Sequence, residues 1–406
     1  MTPVLLDEID LSDPDLYATG DPHAVWTHLR ANAPVFFQKH GYGPGFWAIT
    51  KYDDVVALSS DRRLASSGGR TTTGRPREPG PGGRGAPDGT GVADILVVTD
   101  PPRHTQLRAL VNKAFTPRVI AALEPYVQNI VDGILEELRE RSRCDFATDV
   151  AARIPFTVIC QLLGVPEADR GALSHAVGIF MESRAHTHDE PRDDIELGRY
   201  FLDLAHERRA NPRDDLVSRL VAAEVDGERL SDADVLALAM LLFIAGSETT
   251  MNGMSGGMLA FVEHPEQARR LIDDPVLWPK AVEEILRWVS PVLNGMVRTA
   301  LDDIVVRDTL IARGDKVTLW YPSANRDEEV FAEPFTFDVA RDPNPHITFG
   351  AGWHFCLGAS LARLEIRVAL RSMLGVLSDI ELDGEVQRLR SNVSGSIEHL
   401  PIRYAA

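Results

Sequence analysis

The 406-residue sequence is poor in three things that would each have fixed its class early. Cysteine occurs only at Cys144, Cys160 and Cys356, an odd count at wide spacing. That excludes a disulfide framework and leads us to expect a reducing cytoplasm. Long apolar runs are missing too. The longest, Val235–Gly246, has 12 residues, too few to span a bilayer, and is expected as a buried helix. Met1 to Asp15 is acidic and lacks a basic start followed by an apolar stretch, which argues against a secretion signal. Positive charge is also scarce: 42 Lys and Arg against 60 Asp and Glu give a net charge of −18 and speak against general nucleic-acid binding. What is present is 44% hydrophobic and 25% charged residues, the mix of a soluble globular protein. The length alone allows two or three domains or one large one.

There are no repeats of fixed period and no strand–helix alternation of the doubly wound kind. Apolar residues at spacings of three and four predict helices over Pro117–Arg143, Glu196–Ala210, Ser231–Val262 and Pro279–Val289, with another from Ala359 to about Gly375. Ser231 is a plausible N-cap. Strand-like runs are short: Phe46–Ile49, Ile304–Val306 and Lys316–Tyr321. The expected fold is mainly α with small peripheral β-sheets. Residues 68–91 hold nine Gly and four Pro in 24 positions, which predicts a long loop. With only about 65 residues ahead of it, a mobile surface lid over 68–98 is favoured over a domain linker.

Four clusters carry chemistry. In Phe349-Gly-Ala-Gly-Trp-His-Phe-Cys-Leu-Gly358 a lone Cys sits in a Gly-rich loop just ahead of a helix. Helix N-terminal and loop N–H groups support a thiolate there. A zinc site is unsupported, since no second Cys lies within four residues. Glu284 and Arg287 share a helix face, a spacing that elsewhere is usually a solvated surface pair. Ala245-Gly-Ser-Glu-Thr-Thr250 places an acid and hydroxyls inside an apolar helix, where they need a reason. In Asp100-Pro-Pro-Arg-His-Thr-Gln-Leu-Arg108, His104 and Arg108 are four apart on one face.

Together these stretches resemble the cytochrome P-450 superfamily, whose pattern Phe-x-x-Gly-x-[His/Arg]-x-Cys-x-Gly is matched at Phe349, Gly352, His354, Cys356 and Gly358. The likeness runs from about Asp21 to Ile402. It implies haem b held between the long distal helix and the proximal cysteine loop. Cys356 would be the iron's thiolate ligand, and Phe349 and Gly350 would line the haem. His104, Arg108, Arg298 and His354 match positions that bind the propionates. Glu248 and Thr249 match the acid–alcohol pair that orders water and delivers protons for O–O cleavage. Glu284 and Arg287 match a structural Glu-x-x-Arg signature. The family often adds an Arg before the next Phe, but here Thr336 precedes Phe337, so a third partner must come from elsewhere, with Arg341 a candidate.

The resemblance further implies one haem-centred domain over 1–406 and a monomer. It implies insertion of one oxygen atom of O2 into a hydrophobic small molecule (steroid, terpenoid, polyketide or similar). Substrate contacts are expected from 68–98, Leu242, Ala245, Val292, Leu293, Asn294 and Met296, with Asn294 as a polar anchor. Only 50 residues follow Cys356, leaving no room for a fused reductase. Electrons from NAD(P)H are then expected through a ferredoxin and its reductase, docking on a basic face at Arg103, Lys113, Arg118 and Arg363. Atypical haem-thiolate chemistry (isomerisation, dehydration, oxidative coupling) and a non-catalytic haem carrier are the alternative readings.

Overall fold

The computed structural model describes residues 6–40, 43–67, 95–174, 176, 194–294 and 297–405. Its axis is the helix Asp232–Glu263, whose start is fixed by a capping box. The Asp234 N–H donates to Ser231 Oγ at 3.1 Å, and the Ser231 N–H donates back to the Asp234 carboxylate at 3.3 Å. Helices Arg153–Leu163, Asp194–Ala210, Trp278–Val289 and Ala359–Val376 pack around it. By length and composition this one helix could cross a membrane, but it is the centre of the main buried cluster, where Phe243, Met254, Met258 and Phe261 pack. The 12-residue run therefore understates the element, because Gly and hydroxyl residues extend it without breaking it.

Close approach explains the glycines of its second half. A Cβ on Gly256 would lie 2.6 Å from the Val289 side chain, and one on Gly257 would lie 2.9 Å from both Ile285 and Leu370. Two neighbouring helices thus sit against bare backbone, as dense packing requires.

The sheets are small. Five strands run in the order Val35–His40, Gly43–Ile49, Lys316–Leu319, Val297–Ala300 and Leu64–Ala65. Lys316–Leu319 pairs in parallel with Gly43–Ile49, and antiparallel with Val297–Ala300. A second sheet joins Ser378–Leu382, Pro401–Ala405 and Arg143–Asp145. The expected helix Pro117–Arg143 is divided into Pro117–Ala121 and Glu124–Arg139, with the strand Arg143–Asp145 following. Most of the expected lid lies outside the described residues. Its last part does not: Leu96 and Val98 are buried, so the segment is anchored by apolar packing from there on.

Candidate functional site

The proximal side is built by the loop leading into helix Ala359–Val376. Gly350 and Gly352 take left-handed φ angles of 72° and 69°, a region that glycine enters freely. At Gly352 a Cβ would also come within 2.5 Å of the Ser59 carbonyl oxygen. The loop folds back so that the Cys356 N–H donates to the Phe349 carbonyl at 2.8 Å, and Arg108 donates to the Phe355 carbonyl. Cys356 keeps accessible surface although protein atoms crowd most of its sides. That crowding pushes its thiol up from the ordinary value, while the Gly358 backbone N–H and the charges of Arg108 and Arg363 pull the other way.

Four cationic or donor side chains converge beside the loop from three separate elements. His104 and Arg108 come from helix Arg103–Asn112, Arg298 from strand Val297–Ala300, and His354 from the loop itself. The His104 and His354 rings are 4.3 Å apart, and His354 Nε2 lies 2.9 Å from Ser66 Oγ. Burial first, then the neighbouring charges of Arg298 and His104, push His354 down to about 3. Burial and then Arg108 lower His104 likewise. The nearby carboxylate of Asp100 is already taken by the backbone N–H groups of Ser66 and Ser67, at 2.8 and 2.9 Å. Among the described residues, buried His104 Nε2 and Arg298 Nη1 make no hydrogen bond. Crowded donors with spare N–H capacity suit a ligand bearing carboxylates, and an accessible Cys beside them suits a metal centre. These residues therefore fit a haem with two propionates.

The long helix Asp232–Glu263 presents Ala245 exposed in mid-helix, with Glu248 and Thr249 half-buried and Leu242 buried. Thr249 Oγ1 donates to the Ala245 carbonyl at 2.9 Å, and Ser247 Oγ to that of Phe243 at 2.8 Å, local bonds that compete with the helix ladder. Glu248 accepts from Ser396 Oγ at 3.3 Å, and Ser396 accepts from Asn252 Nδ2 at 2.6 Å. This tie to the C-terminal segment has no signal in the local sequence.

Two of the expected substrate contacts are tied into the fold. Leu293 is buried in the N-terminal cluster with Tyr17, Trp26 and Trp320, because the chain here packs inward under the first helices. The amide of Asn294 donates to the Asn392 carbonyl at 2.8 Å, so the proposed polar anchor is committed within the fold. Val292 is half-buried and bridges to Ser394. Met296 lies outside the described residues.

Glu284 and Arg287 form a bidentate pair at 2.7 and 2.8 Å with both side chains fully buried, not a surface contact. The third partner is Arg341, whose Nε donates to both Glu284 oxygens at 3.1 and 3.2 Å. Asn344 Nδ2 and the Asp338 N–H add bonds at 3.1 and 3.0 Å. Thr336, which stands where an Arg was looked for, contributes its carbonyl to both arginines.

The expected basic face is also corrected. Arg103 is paired with Asp234, and Arg363 with Glu283, so neither is a free cation. Lys113 and Arg118 are exposed. Spacing of four along the proximal helix would have added Arg367 and Arg371, of which Arg367 pairs with Glu124 at 2.9 Å.

Comparison with known proteins is consistent with this arrangement. The family model "Cytochrome P-450" matches residues 162–274 and 276–388. The methyl-branched lipid omega-hydroxylase of Mycobacterium tuberculosis is 39% identical over 99% of this chain and 96% of its own length. The steroid C26-monooxygenase of the same organism is 36% identical over 99% and 94%. Among solved structures, a Mycobacterium marinum cytochrome P-450 in complex with pseudoionone superimposes with a TM-score of 0.87 at 34% identity, covering 99% of this chain and 100% of that one.

Proposed function

The chain belongs to the cytochrome P-450 family and is a haem-dependent monooxygenase of hydrophobic substrates, and from that premise we propose how its own residues do the work. Cys356 ligates the iron through its thiolate. His104, Arg108, Arg298 and His354 hold the propionates, and residues 1–406 form one domain around the cofactor. Bound haem b supplies the dioxygen activation and one-electron chemistry that side chains lack. The observation that carries the reading is the convergence of the accessible Cys356 with four buried or half-buried side chains, two of which hold buried ring or guanidinium nitrogens without a hydrogen-bond partner among the described residues.

The loop fixes the sulfur by its backbone, since the Cys356 N–H is held by the Phe349 carbonyl and the Gly358 N–H bonds the sulfur. On the distal side Thr249 donates its own proton to Ala245, which leaves its lone pairs to accept from a water. Glu248, one residue before it, accepts from the Ser396 hydroxyl, so an acid and a second hydroxyl stand ready to pass protons toward that water. Apolar Leu242 and Ala245 orient a hydrocarbon and exclude bulk water from it.

The substrate is a branched lipid or steroid-like skeleton, hydroxylated at an unactivated C–H. The names of the two relatives favour this over atypical haem-thiolate chemistry. Electrons come from NAD(P)H through a ferredoxin and reductase that dock on the proximal side, with Lys113 and Arg118 as contacts. The test is direct. The reduced, carbon monoxide-treated protein should give the red-shifted thiolate Soret band, and Cys356→Ala should abolish it. Methyl-branched fatty acids or sterols should induce a spin shift and be converted to a product carrying one atom of labelled O2. Retention of the band in Cys356→Ala refutes the ligand assignment, and an unoxygenated product refutes hydroxylation. Thr249→Ala should keep the band and slow product formation by roughly 100-fold or more, the scale of a lost proton-delivery group.

A further inference from the structure

Beside Cys356 lies an ion pair that the haem-thiolate reading leaves unused. Arg363 Nε and Nη2 donate to the two oxygens of Glu283 at 2.7 and 2.9 Å. The same guanidinium stands 4.5 Å over the Phe349 ring, and the Phe349 carbonyl is the acceptor that holds the Cys356 N–H at 2.8 Å. On the other side of the pair, the Thr348 N–H donates to His346 Nδ1 at 3.3 Å. That bond assigns the ring proton to Nε2, which donates to Glu283 at 2.9 Å. His346 is thereby a buried clamp on the Glu283 carboxylate.

We propose that Glu283 and Arg363 are a charge-balanced pair of positioning residues that sets the field at the Cys356 sulfur and thereby the reduction potential of the haem. The inference rests on the haem-thiolate reading above. Reduction adds negative charge to the iron–sulfur unit, so an uncompensated cation nearby favours it and an uncompensated anion opposes it. With side-chain exposures of 30% for Glu283 and 36% for Arg363, the pair can be altered without emptying the core. Neither residue touches the reacting atoms; both act through the loop and through space.

The test is a redox titration of the holoenzyme with the carbon monoxide-bound Soret band as a check on ligation. Glu283→Gln leaves Arg363 unbalanced and should favour the reduced state several-fold. Arg363→Gln leaves Glu283 unbalanced and should disfavour it several-fold. The double variant should return close to wild type, and Glu283→Asp, which keeps the charge, should do the same. Opposite signs with cancellation are not produced by a merely structural pair, whose loss moves both single variants alike. Shifts of one sign, no shift with the Soret band intact, or a Glu283→Asp shift as large as that of Glu283→Gln each overturn the proposal. Failure of the haem-thiolate reading is distinct, since the wild-type protein would then lack the band.

Discussion

Glu283 and Glu284 are neighbours in helix Trp278–Val289, turned about 100° apart by the helical rise, and they serve different regions of the molecule. Glu284 faces inward and is wholly buried, accepting from Arg287, Arg341, Asn344 and the Asp338 N–H. Glu283 faces the proximal surface, holds a partly exposed Arg363 and takes one bond from His346. The same side chain is thus a structural clasp at one position and an adjustable charge at the next. Burial and the number of partners decide which, since a buried ion whose partner is removed has no water to replace it, whereas a surface one does.

Three experiments separate the two environments. Glu284→Ala strands Arg287 and Arg341 as buried, uncompensated charges and should destabilise the fold by about 3–5 kcal/mol in denaturant unfolding. Arg341→Ala removes only the third partner, leaving the bidentate pair, and should cost about 1–3 kcal/mol in the same measurement. Glu283→Gln should be milder than Glu284→Ala, about 1–3 kcal/mol at neutral pH, because solvent around a side chain 30% exposed screens the pair. If it unfolds as readily as Glu284→Ala, the distinction collapses. The pH profile sharpens the last case. Burial opposes ionisation of Glu283, but hydrogen bonds from His346 and Arg363 outweigh it and hold the carboxyl at about 2 against an ordinary 4.5. A depressed folded value means the stabilisation is complete above pH 4.5 and is lost as the pH falls from 4.5 toward about 2. Stability of the wild type should therefore fall over that window more steeply than that of Glu283→Gln.

What was legible in the sequence follows from how local each signal is. The cysteine loop, the Glu284–Arg287 spacing and the acid–alcohol pair are each set within a few residues, and the structure places the Glu284–Arg287 ion pair where that spacing predicts. Arg341 was legible in a different way, because Thr336 broke a pattern and so required a substitute. The free basic face failed for the opposite reason. Arg103 meets Asp234 across 131 positions and Arg363 meets Glu283 across 80, and no local pattern records such partners. The Asn294 bond was equally hidden, since its acceptor is a backbone carbonyl 98 residues away. The Glu248–Ser396 contact spans 148 residues and carries no motif.

The parallel pairing of Lys316–Leu319 with Gly43–Ile49 also sets a timetable. Arg298 lies on the next strand of that sheet, and Val317 stands opposite both Arg298 and Trp47. On the ribosome, strand Gly43–Ile49 must wait for residue 319 to emerge, a delay on the order of 10–50 s at about 5–20 residues per second. Until then the early strands present open edges with their partners unmade. The Arg298 strand can therefore be set in its sheet only after most of the chain has been synthesised, so this side of the site is among the last parts of the protein to take shape.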